Sequence, residues 1–166
     1  MRHIVSILLQ NEAGALARVA GMFSSRGYNI ESLTVAPTHD PTVSRLTLVT
    51  TGSDAVIEQI IKQSRKLVDV VEIADLTSRE HLESELLILK VKVNGETARQ
   101  VVDCVRRHRA LILDETETTR AVQLTGTGAE VNAFLEELSG IAPLLELVRS
   151  GCAALERGPT TLATPA

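Results

Sequence analysis

The same order of hydrophobic patterns occurs twice along this chain of 166 residues. Each time, an apolar run of strand length precedes a stripe of helical spacing, two more strand-like runs, a second helical stripe and a closing strand. This β-α-β-β-α-β order is typical of the ferredoxin-like unit. A chain of this length can hold two such small domains. We therefore expect an α+β fold built from two ferredoxin-like βαββαβ units.

The first unit is predicted to occupy residues 1–76. Gly27 follows the first helical stripe at the position where a left-handed residue commonly ends a helix, and Asp54 can cap the second helix. The first helix is expected over 15–25 and the second over 55–65. Strands are expected at residues 4–9, 29–36, 43–51 and 67–73.

The second unit is predicted at residues 85–155, after a polar, unpatterned linker at 77–84. Its strands are expected at 86–93, 111–113, 121–124 and 144–148, with helical stripes around 98–105 and 131–138. Residues 156–166 contain no run of core-forming side chains, so we expect a disordered tail.

Composition excludes several classes of function. The net charge is −4 and the aromatic residues are one Tyr and two Phe, which argues against nucleic-acid binding and against stacking of flat cofactors. No apolar run is long enough to span a bilayer, and the N-terminus lacks the features of a signal peptide. Cys104 and Cys152 lie far apart in apolar segments, which predicts buried free thiols in a reducing cytoplasm.

No catalytic or metal-binding constellation is evident. The four histidines have no ligand spacing, and no cysteine or serine lies in a nucleophile motif. Gly126-Thr127-Gly128 follows a strand and precedes a helix, but it lacks the further residues of a phosphate loop. We interpret it as a tight turn with a helix cap, and we expect no catalytic site on this chain.

Two polar corners flank the first helix. The first corner contains Asn11 and Gly14, where a strand gives way to a helix, and the second contains Asn29, where the next strand begins. A helix start without a side chain at Gly14 leaves N–H groups open to a small anion, although a plain turn and cap would have the same sequence. With the apolar residues Leu16 and Ile30 nearby, the two corners offer what an α-amino acid requires.

The same residues carry a resemblance to a known family. The segment NEAGALARVAGMFSSRGYNIESLTVAPTHDP (11–41), continued by SRLTLVTTG and KQSRKLVDVVEI, closely resembles the regulatory small subunit of acetohydroxyacid synthase, also called acetolactate synthase. The second half is similar to that family's C-terminal domain mainly in strand order and in the segment QLTGT. The resemblance covers almost the entire chain.

The resemblance implies that the first half is an ACT domain and that the chain activates a separate catalytic large subunit. That subunit would carry thiamine diphosphate, Mg and FAD and form acetolactate from pyruvate, whereas this chain would carry no cofactor. The small subunit would impose feedback inhibition by valine in branched-chain amino acid synthesis. Valine, leucine and isoleucine all remain open as the effector. The resemblance implies effector contacts at Asn11, Gly14, Ala15, Leu16, Asn29 and Ile30.

The second strand, at residues 29–36, is an edge of the predicted 4-1-3-2 sheet, and it lacks the lysines and central prolines that usually protect edges. We therefore expect a homodimer through this edge, with each effector site between two chains. The alternative is a stand-alone ACT-type amino-acid sensor without a catalytic partner.

Overall fold

The computed structural model describes residues 1–165, which form two compact units. The first unit comprises Met1–Leu82 together with the chain from Cys152 onward, and the second comprises Glu83–Gly151. Each unit contains one antiparallel βαββαβ arrangement, so the predicted α+β fold with two ferredoxin-like units is confirmed.

The first unit has strands in the order β2-β3-β1-β4, which is the predicted 4-1-3-2 order with β2 at one edge. Helix α1 has the predicted bounds and ends before Gly27, whose φ of 69° fits the left-handed position after a helix. The elements are β1 (Arg2–Gln10), α1 (Ala15–Ser25), β2 (Ile30–Pro37), β3 (Val43–Thr51), α2 (Asp54–Ser64) and β4 (Val70–Asp75).

The two faces of this sheet are both covered, by different parts of the chain. Alternate residues of a strand point to opposite faces. One face packs against the helices through a core that includes Val5 and Ile7 of β1, Phe23 of α1 and Ile60 of α2. The opposite face, called here the outer face, buries a smaller cluster of Ile4, Val49, Ala74, Leu76, Cys152 and Ala154.

The C-terminal residues that cover the outer face depart from the predicted disordered tail at 156–166. Residues Ala153–Glu156 form strand β9, and the Arg157 N–H donates to the Glu80 carbonyl at 2.8 Å. Leu162 packs against the outer-face cluster. The apolar residues of this segment are few and widely spaced, so the sequence shows no strand or helix pattern. Their burial depends on contact with the apolar outer face of the sheet. Ala166 lies outside the described residues.

The second unit repeats the pattern with strand order β6-β7-β5-β8. Its core includes Leu87, Val91, Val101 and Phe134, and Thr127 caps α4 in a capping box with Glu130, as the turn-and-cap interpretation predicted. The elements are β5 (His81–Lys92), α3 (Gly95–Arg107), β6 (Leu111–Glu115), β7 (Thr119–Gly126), α4 (Gly128–Ile141) and β8 (Leu144–Arg149).

Two local predictions need correction. Ser53, not Asp54, caps α2, and its side chain accepts the Val56 N–H. Both residue types are good caps, and the structure begins the helix one residue earlier than the sequence pattern indicated. The expected linker at 77–84 is shorter, because β5 already begins at His81. Within residues 1–165, none of the helices has the length and apolar composition that crossing a bilayer requires.

Candidate functional site

The first polar corner is held in place by hydrogen bonds from neighbouring strands and turns. The Asn11 backbone N–H donates to the Thr42 carbonyl at 2.8 Å, and its side-chain Nδ2 donates to the Pro41 carbonyl at 2.9 Å. Asn11 therefore does not cap the helix. Its exposed amide is fixed by the β2–β3 turn, and among the described residues its Oδ1 atom has no hydrogen-bond donor. That oxygen can accept a hydrogen bond from an ammonium group.

Gly14 occupies the N-cap position of α1 in a left-handed conformation, with φ 86° and ψ −9°. Its carbonyl accepts the Arg18 N–H at 3.0 Å, but it has no side chain to accept from the first helical turn. The first-turn N–H groups of a helix have no intrahelical partners, and they carry the positive end of the helix dipole. The arrangement can bind a small carboxylate.

The neighbouring residues of the corner differ in what they can contribute. The Ala15 side chain is buried, and its N–H already donates to the Glu12 carbonyl at 3.3 Å, so Ala15 presents no free polar group at this corner. Leu16 is 38% exposed on the first turn and offers an apolar surface beside the helix start.

Arg18 is a residue of this corner that the sequence reasoning missed. Its guanidinium forms a bidentate pair with Asp69, with Nε 2.5 Å from Oδ2 and Nη2 2.9 Å from Oδ1. A Cβ atom placed on Gly14 would lie 2.8 Å from Arg18 Nη1, so the guanidinium lies directly against the Gly14 turn. The Arg18 side chain is half exposed, whereas that of Asp69 is 4% exposed.

The Arg18–Asp69 pair is electrostatically fixed. The hydrogen bond from Arg18 lowers the pKa of Asp69, and the same hydrogen bond raises the pKa of Arg18. Both groups are therefore charged over the whole physiological range. Because Asp69 uses Nε and Nη2, the third nitrogen remains at the helix N-terminus as a donor for an anion. Sequence spacing could not reveal this pair, since its members are 51 residues apart.

The second corner lies at the other end of α1. The Tyr28 N–H donates to the Phe23 carbonyl at 3.1 Å, and the Thr50 hydroxyl donates to the Asn29 carbonyl. The Asn29 side chain is exposed and makes no hydrogen bond with another described residue, while Ile30 is half buried against the first core. The backbone is fixed and the Asn29 amide is available to a ligand.

The two corners of one chain are too far apart to share a small ligand. Helix α1 separates them, and its eleven residues span about 16 Å at the usual rise per residue. The structure thus brings together Asn11, Gly14, Ala15 and Leu16 at one end of α1, and Asn29 with Ile30 at the other. A ligand that contacts both groups requires a second chain.

A cluster in the second unit combines several chemically active groups. Donor atoms of Cys104, His108 and Glu137 lie within 4.8 Å of one another. Glu137 is bound to His108 and to Arg107, which lowers the pKa of its carboxyl group to about 2, and burial raises the pKa of the Cys104 thiol to about 11. The thiol is therefore protonated at neutral pH and is a poor nucleophile. The cluster could hold a metal ion only by giving up these ion pairs.

Comparison with known proteins agrees with this architecture. Residues 5–72 match the family model of the AHAS small subunit-like ACT domain, and residues 84–158 match that of the small subunit of acetolactate synthase. The acetolactate synthase isozyme 3 small subunit of Salmonella typhimurium is 49% identical over 95% of this chain and 97% of its own length.

The chain belongs to the acetolactate synthase small-subunit family. The isozyme 3 small subunit of Escherichia coli is 48% identical over 95% of this chain and 97% of its own. The crystal structure of the acetolactate synthase small subunit from Thermotoga maritima superimposes with a TM-score of 0.87 at 33% identity, covering 96% of this chain and 99% of that one. The family resemblance seen in the sequence is confirmed, including the ACT domain in the first half.

Proposed function

We propose that this small subunit activates a separate catalytic subunit of acetolactate synthase and makes it sensitive to valine. The catalytic subunit would carry thiamine diphosphate, Mg and FAD and condense pyruvate in the cytoplasm, in branched-chain amino acid synthesis. This chain would contribute regulation only. The observation that carries the proposal is the donor set at Gly14, where an uncapped helix start and the Arg18 guanidinium meet.

The corner matches the chemistry of an α-amino acid. The helix N-terminus and Arg18 provide positive charge for the carboxylate, and Asn11 Oδ1 provides an acceptor for the ammonium group. Exposed Leu16 offers an apolar surface for an aliphatic side chain. The Asn29 amide would complete the site from a second chain.

The free edge strand β2 supports a homodimer that brings the two groups together. Strand β2 pairs only with β3 within the described sheet, and Val35 on it is 37% exposed. An exposed edge of this kind is a template for pairing with another chain. Pairing two copies at β2 would allow the Gly14 corner of one chain to approach the Asn29 corner of the other. Effector binding would then be coupled to dimer geometry.

A reconstitution experiment tests the proposal. The purified chain is added to the acetolactate synthase catalytic subunit of the same organism, and acetolactate formation is measured with and without valine, leucine or isoleucine. We expect activation by the chain, inhibition by valine, and no acetolactate from the chain alone. Activation without any response to the three amino acids would refute the effector role.

The second candidate, a stand-alone amino-acid sensor, predicts valine binding but neither co-purification with the catalytic subunit nor a change in its rate. The match of residues 84–158 to the small-subunit family favours the regulatory subunit.

A further inference from the structure

The first unit contains a cavity of about 540 Å³ on its outer face. Its floor is apolar and consists of Leu8, Val43, Ala74 and Leu76 from the sheet. Its other wall is the segment 155–164, called here the C-terminal strap, which contributes hydroxyl groups from Thr160, Thr161 and Thr164. The volume is within the usual range of roughly 300–1,000 Å³ for small-molecule sites.

Arg45 of β3 lines this cavity and lacks an acidic partner. Its Nη2 atom donates to the Ala154 carbonyl at 2.9 Å, whereas its Nε is buried with no hydrogen-bond acceptor. Arg45 forms no ion pair with any residue in the part of the chain that the structure describes. A half-buried cation without a counter-charge is costly, and a bound anion would offset that cost.

Three other charged side chains of the cavity, Arg79, Glu156 and Asp40, already have hydrogen-bond partners. Arg79 pairs with Glu156, with Nη1 2.8 Å from Oε2. The Asp40 carboxylate accepts hydrogen bonds from the backbone N–H and the hydroxyl of Thr42. Of the two arginines that line the cavity, Arg45 is therefore the one without an acidic partner among the described residues, and it lies beside an apolar floor.

We propose that the cavity binds a small aliphatic monocarboxylate, with the carboxylate on Arg45 and the hydrocarbon chain against Leu8, Val43 and Ala74. A single guanidinium without an acidic partner suits one carboxylate, whereas phosphate recognition commonly uses several charged donors. Because Asp40 and Glu156 are engaged, the cavity favours an acid without an amino group. This site differs in position and chemistry from the proposed amino-acid site at Gly14, and it does not depend on that proposal.

Calorimetric titration of the full chain with isovalerate, up to about 10 mM, tests this inference, since a millimolar site would saturate in that range. Isovaleramide has the same hydrocarbon and no charge, and we expect it not to bind. Arg45→Gln should weaken isovalerate binding about tenfold or more, because a hydrogen bond to a charged group is lost. Arg26→Gln, at an exposed arginine bound to Gln63, is the matched control and should bind as the natural chain does.

The outcomes separate this cavity from the effector corner. Isovalerate binding that survives Gly14→Asp and fails in Arg45→Gln supports the cavity. Binding lost in Gly14→Asp but kept in Arg45→Gln places the carboxylate at the effector corner and overturns the inference. Equal binding of isovalerate and isovaleramide to the natural chain, or no saturable binding of isovalerate, also overturns it, independently of whether any variant folds.

Discussion

Replacement of Gly14 by aspartate is the most direct perturbation of the proposed effector site. The new Cβ would lie 2.8 Å from Arg18 Nη1, so the guanidinium must shift, and the new carboxylate would attract it. The φ of 86° adds backbone strain, which costs about 1–3 kcal/mol for ordinary residues and lies near the low end for Asp. We expect the strain to make the chain less stable. The chain should still fold, because an acidic residue is favourable at a helix N-terminus.

The effect on the effector follows from charge. Two carboxylates about 4 Å apart repel by about 4 kcal/mol at an effective dielectric constant of about 20. The Arg18 guanidinium is close to both and offsets part of this repulsion. A remainder of about 1–2 kcal/mol would weaken valine binding roughly fivefold to thirtyfold. The variant should still activate the catalytic subunit and should need correspondingly more valine for inhibition.

Two control variants separate charge from strain. Gly14→Ala has the strain and the contact with Arg18 without the charge, so it should lose less valine sensitivity than Gly14→Asp. Gly158→Asp places the same charge at a similar φ of 83° with no neighbouring atom within 4 Å of its Cβ, and it should respond to valine normally. Acetolactate formation at increasing valine concentration, with thermal unfolding measured in parallel, provides the readout. If Gly14→Asp activates normally and keeps natural valine sensitivity, the effector carboxylate does not lie at Gly14.

Three further changes test other parts of the structure. Val35→Lys places a charge on the exposed edge strand and should weaken the dimer in sedimentation velocity. The control Val68→Lys, at a highly exposed loop position, should not. Equal dimerisation of both variants would exclude the β2 edge as the dimer interface. The carboxyl pKa of Glu137 is about 2, below its ordinary value of 4.5, so its ion pairs stabilise the fold fully above about pH 4.5 and progressively less as the pH falls toward 2. In the Glu137→Gln variant the unfolding temperature should therefore depend less on pH over that window. If its unfolding temperature falls with pH as steeply as that of the natural chain, this explanation is wrong. Thr127→Ala removes the cap of α4 and should lower the free energy of unfolding by about 1 kcal/mol. An unchanged midpoint of denaturant unfolding would disprove this.

Hydrophobic periodicity was sufficient to predict the fold. The spacing of Leu16, Val19 and Phe23 gave the bounds of α1, and alternation gave β3. These elements bury one face each, and burial of that face is what periodicity measures. The edge position of β2 followed from the topology of the ferredoxin-like unit.

The parts that sequence could not predict depend on contacts between distant residues. Nothing in the helical pattern distinguishes Arg18 from an ordinary solvated arginine, because its partner Asp69 belongs to a later turn. The same holds for Arg45, which is unusual only because its guanidinium binds the Ala154 carbonyl and lines the same cavity as the C-terminal strap. The start of β5 at His81 was missed because its first residues are mostly exposed or half-buried polar side chains.

The return of the C-terminal residues to the first sheet affects how this chain can be dissected. A fragment that ends at Leu82 would contain every strand of the ACT sheet, but it would lose Cys152, Ala154 and Leu162 from the outer face. Ile4, Val49 and Leu76 would then lie open to water, and an uncovered apolar sheet face promotes aggregation. Residues Cys152, Ala154 and Leu162 are therefore part of the folding unit of the N-terminal domain, and a truncation that removes them perturbs that domain.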